Sequence, residues 1–415
     1  MRSIFLLVAL SFSLSAFGIE NHKKKILFIG TGGTIAGIAQ KPNSPTYDPA
    51  KVTIEAILSA VPEIQQWADV SGQQLVDQLK LEALIESGMS ENNALKKPEV
   101  YVNLCSCALT EYHLRLLKDR VEQALNRDQF DAVIITHGTD TIEESAFFLE
   151  MTVRSDKPVI LIGAGRPSNH PEADGPDNVR DAVKVAMHPQ AQGRGVMVVF
   201  HGQIHPAFNV TEVEATRTDQ ALVDRFSSPK YGSLGKVLNG LVTWNESNLL
   251  NQNNFRNIKF PSSYRRELPK VQILSQYVGA DNVSLMNLYR SQGMKGFVVA
   301  GYGMGSTSQE LREMIAATLE PGSTEVFLTA SRTKNAVVDP TVSYQTKDYM
   351  KGSVFAGSLS PYHAKIFLQL VLAGLDDHMP ELMDITKNLP ASSTLREQVR
   401  EIVNELLYKK VGQPN

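Results

Sequence analysis

Residues 26–37 read Ile26-Leu27-Phe28-Ile29-Gly30-Thr31-Gly32-Gly33-Thr34-Ile35-Ala36-Gly37, and residues 132–144 read Ala132-Val133-Ile134-Ile135-Thr136-His137-Gly138-Thr139-Asp140-Thr141-Ile142-Glu143-Glu144. Each is a short apolar, β-branched-rich run that breaks into a polar turn centred on threonine. In a parallel α/β sheet the ends of neighbouring strands share one rim, and ligands bind there. The pair of turns therefore predicts two hydroxyls and a carboxylate converging on a small polar substrate.

Working outward, similar apolar runs begin near Val159, Val196, Val271, Phe297 and Val326, most of them followed by a Gly/Ser/Thr turn. Helical patterns alternate with them. Ile54, Ile57, Leu58 and Val61 share one face, as do Leu114, Leu117, Val121 and Leu125, and a last amphipathic helix carries Leu395, Val399, Ile402 and Leu406. Thr141-Ile142-Glu143-Glu144 and Thr307-Ser308-Gln309-Glu310 have the capping-box form that starts helices, and Ser360-Pro361 is an N-cap followed by proline in the first turn. Strand–helix alternation predicts an α/β fold with a mostly parallel sheet. The run 245–269 is rich in Asn, Ser, Pro and Arg and breaks the rhythm, so it reads as a linker between domains at 24–244 and 270–415. The stretch from Val76 to Val100 reads as a surface excursion with a short helical pattern.

The chain has 415 residues, enough for two domains, with a net charge of −3 and 42% hydrophobic residues. This composition fits a globular protein, and no basic stripe argues for nucleic acid. At the N-terminus Met1-Arg2-Ser3 precedes an apolar run from Ile4 to Phe17, and Ala16-Phe17-Gly18 has the small-x-small form of a cleavage site. Residues 1–18 thus read as a secretory signal peptide with Ile19 as the first mature residue; the run is short for the about 20 residues that span a bilayer. A periplasmic or secreted location follows, with no membrane association once the signal is removed. The two cysteines, Cys105 and Cys107, stand at i and i+2. On a strand they point to one face, and a bridge closing so tight a loop is expected to be strained, so the reading favours free thiols over a disulfide. No companion His or Cys cluster supports a metal site.

The two opening motifs are similar to the two signatures of bacterial-type L-asparaginases. Further matches are Tyr47, Lys157-Pro158-Val159, Gly163-Ala164-Gly165-Arg166-Pro167-Ser168, Ala173-Asp174-Gly175-Pro176, Tyr231-Gly232-Ser233-Leu234-Gly235, Gly301-Tyr302-Gly303-Met304-Gly305, Ala330-Ser331-Arg332 and Ala356-Gly357-Ser358-Leu359-Ser360-Pro361. Together they cover nearly the whole mature chain. The resemblance implies a larger N-terminal α/β domain joined to a smaller C-terminal α/β domain. It also implies a homotetramer of tight dimers, with sites between the N-terminal domain of one subunit and the C-terminal domain of its neighbour. The implied reaction is hydrolysis of the side-chain amide of an amino acid, asparagine or glutamine, to the acid and ammonia, without metal or organic cofactor.

Carried over residue by residue, the resemblance makes Thr34 the nucleophile that forms the acyl-enzyme, on a turn where Gly32 and Gly33 permit unusual backbone angles. Taken alone, Gly-Gly-Thr also reads as a strand-to-helix turn with an N-cap. Tyr47, in a stretch rich in turn formers, matches the tyrosine over the nucleophile. Thr139 assists attack or holds the water, and Asp140 suits the substrate's α-ammonium. Gly33 and Gly138 let the substrate approach the backbone. His137 reads as a brace for its turn.

The chain departs from the family pattern in places. Ser106, the counterpart of the serine that holds the α-carboxylate, is followed by Cys107 and Ala108 where an amide and an acid are usual. The family's catalytic lysine is matched by Arg217 in Ala215-Thr216-Arg217-Thr218; a shifted register offers Glu212. Arginine cannot act as a base, but it can hold a positive field over an oxyanion. Gln345 stands where a glutamate often meets the substrate amine, and Met304 where asparagine is common. Two functional classes stay open on these residues: an exported amidohydrolase, or a catalytically impaired binding protein on the same scaffold.

Overall fold

In the computed structural model, which describes residues 23–41, 44, 46–215, 224–229, 231–245, 260, 263, 265–320, 323–338 and 351–408, the apolar runs become strands of two sheets. The larger sheet contains β1 (Lys25–Gly30), β2 (Asp69–Val76), β3 (Tyr101–Val102), β4 (Ala132–Thr136), β5 (Val159–Ile162), β6 (Val196–Phe200), β7 (Gln203–Pro206), β8 (Gly235–Leu238) and β9 (Leu241–Trp244). Their order is β9-β8-β7-β6-β5-β4-β1-β2-β3. The pairs from β2 through β6 are parallel, and antiparallel strands close both edges.

Strand β1 is hydrophobic on both faces because both faces are covered. Ile26 and Phe28 pack with Ile54 of α1 (Ile54–Ser59) and with Val179 and Ala182 of the long helix Gly175–Met187. Leu27 and Ile29 face the other way, onto Leu117 and Val121 of the helix Glu111–Glu122 and onto Ile142 and Leu149 of the helix Ile142–Thr152. Each fully buried aliphatic or phenyl side chain contributes about 1.5–3 kcal/mol, so the register of β1 is strongly specified.

With α2 (Gln78–Glu86) and α3 (Glu91–Ala94) following α1, these helices are α4 (Glu111–Glu122), α5 (Ile142–Thr152) and α6 (Gly175–Met187). The smaller, all-parallel sheet is β10 (Val271–Ser275), β11 (Gly296–Gly301), β12 (Val326–Ser331) and β13 (Val354–Phe355), paired in that order. Helices α7 (Asn282–Ser291) and α8 (Gln309–Ala316) cover one face through Met286, Leu311 and Ile315. Helices α9 (Pro361–Asp376) and α10 (Leu395–Val403) cover the other through Phe367, Leu368, Val399 and Ile402. Phe147, Phe148 and Met151 of α5 belong to this last cluster, and Phe147 stacks on His363 of α9 at 4.5 Å, so one core runs between the two sheets. The architecture is the α/β pair read from the sequence: a larger, mostly parallel sheet with flanking helices and a smaller α/β unit after it.

Ser360 caps α9 as read, accepting from the His363 amide at 3.1 Å with Pro361 in the first turn. Neither capping box forms as expected. Thr141 precedes α5 but turns its hydroxyl to the Ser106 carbonyl instead of the helix amides. The cap of α8 is Ser308, one residue later than read, because its hydroxyl reaches the Leu311 amide. The stretch from Val76 to Val100 is more regular than a single helical pattern suggests: it carries α2, α3 and a 3₁₀ turn. The strand before it, β2, pairs along the full length of β1, yet Asp69-Val70-Ser71-Gly72-Gln73-Gln74-Leu75-Val76 lacks the apolar run that marks the other central strands. Residues 1–18, read as a signal peptide, and most of 245–269, read as a linker, lie outside the described residues. No helix among the described residues is long and apolar enough to cross a membrane.

Candidate active site

Adjacent strands β1 and β4 run parallel with Gly30 beside Thr136, so their two turns leave the sheet side by side. Thr31 ties them: its amide and its hydroxyl both donate to the Thr136 carbonyl, at 3.1 and 2.9 Å. The Gly33 amide donates to the Leu104 carbonyl at 2.9 Å, and the Leu104 amide to the Thr31 carbonyl at 3.0 Å. This adds a third segment, 104–108, to the cluster. Gly33 adopts φ 83°, a left-handed conformation that glycine supplies without steric cost. A Cβ at Gly33 would lie 2.4 Å from the Cα and the nitrogen of Gly138, and one at Gly138 would lie 2.4 Å from Ser106 Oγ. The three segments meet at backbone contact because these two positions carry no side chain.

Thr34 opens a 3₁₀ turn over Thr34–Ala36 and is buried. Its hydroxyl lies 2.7 Å from the Tyr47 hydroxyl. Tyr47 is held by a short antiparallel pair, Tyr47–Asp48 against Ile38–Ala39, and its ring rests on Gly37. Gly37 is braced in turn, since its carbonyl accepts from the Ser168 amide at 2.9 Å and the Ser168 hydroxyl at 2.7 Å. The Asp174 carboxylate accepts from the amides of Gly165 and Arg166 at 2.8 and 2.9 Å and from His201 Nε2 at 3.0 Å. Burial alone would raise its pKa, but these donors hold it below the usual range. The Gly163–Ser168 and Ala173–Pro176 stretches thus buttress the first turn.

On the second turn Thr139 is buried at the start of a 3₁₀ turn, and Asp140 is exposed. Asp140 Oδ2 accepts a long bond of 3.4 Å from the hydroxyl of Ser106, which is buried. His137 is fully buried. Nδ1 lies 2.7 Å from the Gly138 carbonyl, an acceptor, so Nδ1 carries the proton, and Nε2 accepts from the Ser145 hydroxyl at 2.8 Å. Burial pushes its pKa down to about 4, so the ring is neutral near pH 7 and spent on holding the turn, as a brace would be.

The expectation of two free thiols is corrected. Cys105 and Cys107 form a disulfide. The expectation placed both on an extended strand, but the chain turns after Cys105 into a 3₁₀ helix over Ser106–Ala108. The turn brings their Cα atoms to 5.3 Å, within the usual range for a bridge. Cys105 Sγ lies 3.4 Å from Asp140 Oδ2; without a proton it touches the carboxylate and does not donate. The bridge therefore encloses Ser106 and forms the wall beside Asp140.

Arg217 and Gln345 lie outside the described residues. Glu212, the alternative to Arg217, is engaged elsewhere: its carboxylate pairs with Arg225 at 3.0 Å, and its backbone carbonyl accepts from Lys334. Its amide donates to Glu143 Oε2 at 3.1 Å. Glu143 went unnoticed in the sequence. It sits on α5 one turn after Thr139, its pKa raised by burial, and it holds the segment that leads to Arg217. The available signal was its place: Glu143 falls among the buried residues of a helix with almost no polar face.

The arrangement can present a buried hydroxyl with a second hydroxyl in hydrogen-bond contact, a neighbouring Thr and Ser, and an exposed carboxylate, all at one sheet rim. Residues 25–250 match the family described as asparaginase, N-terminal, and residues 270–380 match the glutaminase/asparaginase C-terminal domain. L-asparaginase 2 of Bacillus subtilis (strain 168) is 35% identical over 353 residues, covering 85% of this chain and 83% of that protein. A Haemophilus influenzae protein named "Probable L-asparaginase periplasmic" is 32% identical over 352 residues, covering 85% and 89%. The crystal structure titled as a probable cytoplasmic L-asparaginase from Campylobacter jejuni superposes with a TM-score of 0.69 at 31% identity, over 84% of this chain and 95% of that one.

Proposed function

The chain belongs to the asparaginase family, and from that premise we propose that it hydrolyses the side-chain amide of L-asparagine, and of L-glutamine, to the acid and ammonia through Thr34. The observation that carries the assignment to Thr34 is its 2.7 Å contact with the Tyr47 hydroxyl. A threonine hydroxyl is a weak nucleophile until a neighbour takes its proton and its pose is fixed. Tyr47 is in position to take that proton while passing its own phenolic proton on towards the leaving amine, and the Gly33 backbone fixes the pose.

In this reading the Thr34 oxygen attacks the amide carbon, and the carbonyl π pair moves onto oxygen. Collapse of the tetrahedral intermediate expels the amine, which takes up the proton relayed from Thr34 through Tyr47 and leaves as ammonia. The resulting ester is opened by water, held by Thr139, which releases the acid and restores the Thr34 hydroxyl. Asp140 receives the substrate's α-ammonium, and Ser106 its α-carboxylate. Arg217 supplies positive charge over the developing oxyanion, as a fixed field and without proton exchange. Gln345 completes the amine side from the C-terminal domain of a neighbouring subunit in a homotetramer, and Cys107 shapes the wall next to Ser106. The domain division at 24–244, 245–269 and 270–415 and export through a cleaved signal at 1–18 belong to the same proposal. The relative named as a probable periplasmic asparaginase supports export, while the structural neighbour is titled as a probable cytoplasmic one.

The test is ammonia release by the mature protein from asparagine, glutamine and short β-aspartyl amides, in parallel with Thr34→Ala. Turnover is expected for at least one amide and absent in a folded Thr34→Ala. Turnover that survives Thr34→Ala removes the nucleophile assignment. Binding of aspartate without turnover of any amide makes the chain the impaired binding protein.

A further inference from the structure

We propose that reduction of the Cys105–Cys107 disulfide creates a Zn²⁺ site, built from the two thiolates and the Asp140 carboxylate, in the place assigned above to the substrate's ammonium. The inference rests on that assignment of Asp140.

Geometry supports it. Cys105, Cys107 and Asp140 each offer a donor atom, and these atoms lie within 4.8 Å of one another. A tetrahedral zinc ion, bound at about 2.0–2.3 Å, separates its ligand atoms by roughly 3.3–3.8 Å. The 3.4 Å between Cys105 Sγ and Asp140 Oδ2 already falls in that interval. Once the S–S bond is gone, the Cys107 sulfur is free to swing to the same separation from backbones whose Cα atoms are 5.3 Å apart. Cys107 and Asp140 are exposed, so both a reductant and an ion in water reach them. Two thiolates and one carboxylate suit Zn²⁺ over Mg²⁺ or Ca²⁺, which take oxygen ligands. Water fills the fourth position.

The chemistry balances. A dithiol delivers two electrons and two protons, the S–S bond opens to two thiols, and the dithiol leaves as its own disulfide. Zinc binding then releases both thiol protons. While the bridge stands, neither sulfur is a thiolate ligand, and Asp140 faces solvent with its charge available. When the bridge is open and zinc is bound, that charge is committed to a dication, and an ammonium cannot share it. The oxidised protein is therefore metal-insensitive, and the reduced one loses its substrate position to zinc.

The test is calorimetric titration of the mature protein with Zn²⁺ alone, comparing the oxidised form with protein reduced by dithiothreitol and desalted without air. The reduced form is expected to bind one ion per chain. Loss of a direct ligand, by oxidation or by Cys107→Ser, should weaken binding by at least about 100-fold, the upper end of what outer-shell changes cost. Where Cys107→Ser does not fold, alkylation of the reduced parent replaces it. Equal affinity in both redox forms, no binding to the reduced form, or full affinity after loss of Cys107 each overturns the proposal. Aspartate is titrated into the oxidised protein separately. If it binds there and weakens zinc binding to the reduced form by more than its own chelation of zinc, titrated without protein, the sites overlap; if it binds there and weakens zinc binding by no more than that chelation, the overlap is overturned. Aspartate that does not bind the oxidised form counts against the substrate reading alone, because the zinc titration is independent of turnover.

Discussion

Replacing Tyr47 by phenylalanine removes one oxygen from the candidate site and little else. The ring stays against Gly37, and the short strand that carries it keeps its backbone pairing with Ile38–Ala39. What disappears is the 2.7 Å contact with the Thr34 hydroxyl, at the modal length for an O–H···O bond. If that bond only orients Thr34, its loss costs about 0.5–1.5 kcal/mol, which is at most about tenfold in rate. If Tyr47 accepts the nucleophile's proton, the bond is stronger in the transition state than in the free enzyme. The loss should then resemble removal of an oxyanion-hole donor, about 2.7–4 kcal/mol, or roughly 100- to 1000-fold in kcat. The proposed mechanism requires the second case, with KM changed only a few-fold, because Tyr47 is not assigned a substrate contact. The assay is steady-state ammonia release from asparagine by Tyr47→Phe and parent, with thermal unfolding of both to show an intact fold. A Tyr47→Phe kcat within about tenfold of the parent would refute Tyr47 as the proton acceptor.

Three further outcomes are expected. Gly33→Ala adds a methyl 2.4 Å from the Gly138 backbone at φ 83°, so it should lower the melting temperature and abolish turnover together; a stable, active Gly33→Ala would contradict the close approach of the two turns. Asp140→Asn removes the counter-charge for an ammonium; a charge-assisted bond of about 1.5–3 kcal/mol corresponds to a rise in KM of roughly 10- to 100-fold, and unchanged KM in a folded variant would detach Asp140 from the substrate. His205 is buried with its pKa pushed down to about 4, so it contributes stability that is complete above its unfolded pKa of about 6.5 and is lost as pH falls from there towards 4. Between pH 7 and pH 5 its share is about 2 kcal/mol. Asp181, with a pKa raised by burial to about 6, acts in the opposite direction, so the measurement is the difference in urea unfolding between parent and His205→Gln, with the parent losing more on acidification; parallel pH profiles would refute it.

Much of the fold was legible because the central strands are buried on both faces and must be apolar along their length. β1, β4, β5 and β6 announce themselves as runs of Ile, Val, Leu and Phe. Strand β2 was not legible. It is an outer strand of the parallel set, Ser71, Gly72, Gln73 and Gln74 occupy its middle, and its place is decided by pairing with β1 and by cover from α1. The caps were half legible for a related reason. A threonine before a helix can bond the helix amides or a carbonyl elsewhere, and at Thr141 the Ser106 carbonyl wins because the fold brings it to 3.0 Å.

Local order along the chain determined the strand-and-turn units, the burial of their runs, and the residue types at the rim: threonine, glycine and aspartate have the required chemistry wherever they fold. Tertiary structure decided which of these groups meet. Gly33 touches Gly138, Ser106 reaches Asp140 and Tyr47 reaches Thr34 only because β1 and β4 are neighbours in register and because segment 104–108 turns instead of running straight. The same turn closes the Cys105–Cys107 bridge, against the strand geometry that the spacing suggested. The physical reason is that periodicity reports which face of an element is buried, while the separation of two side chains depends on the path of backbone between and around them.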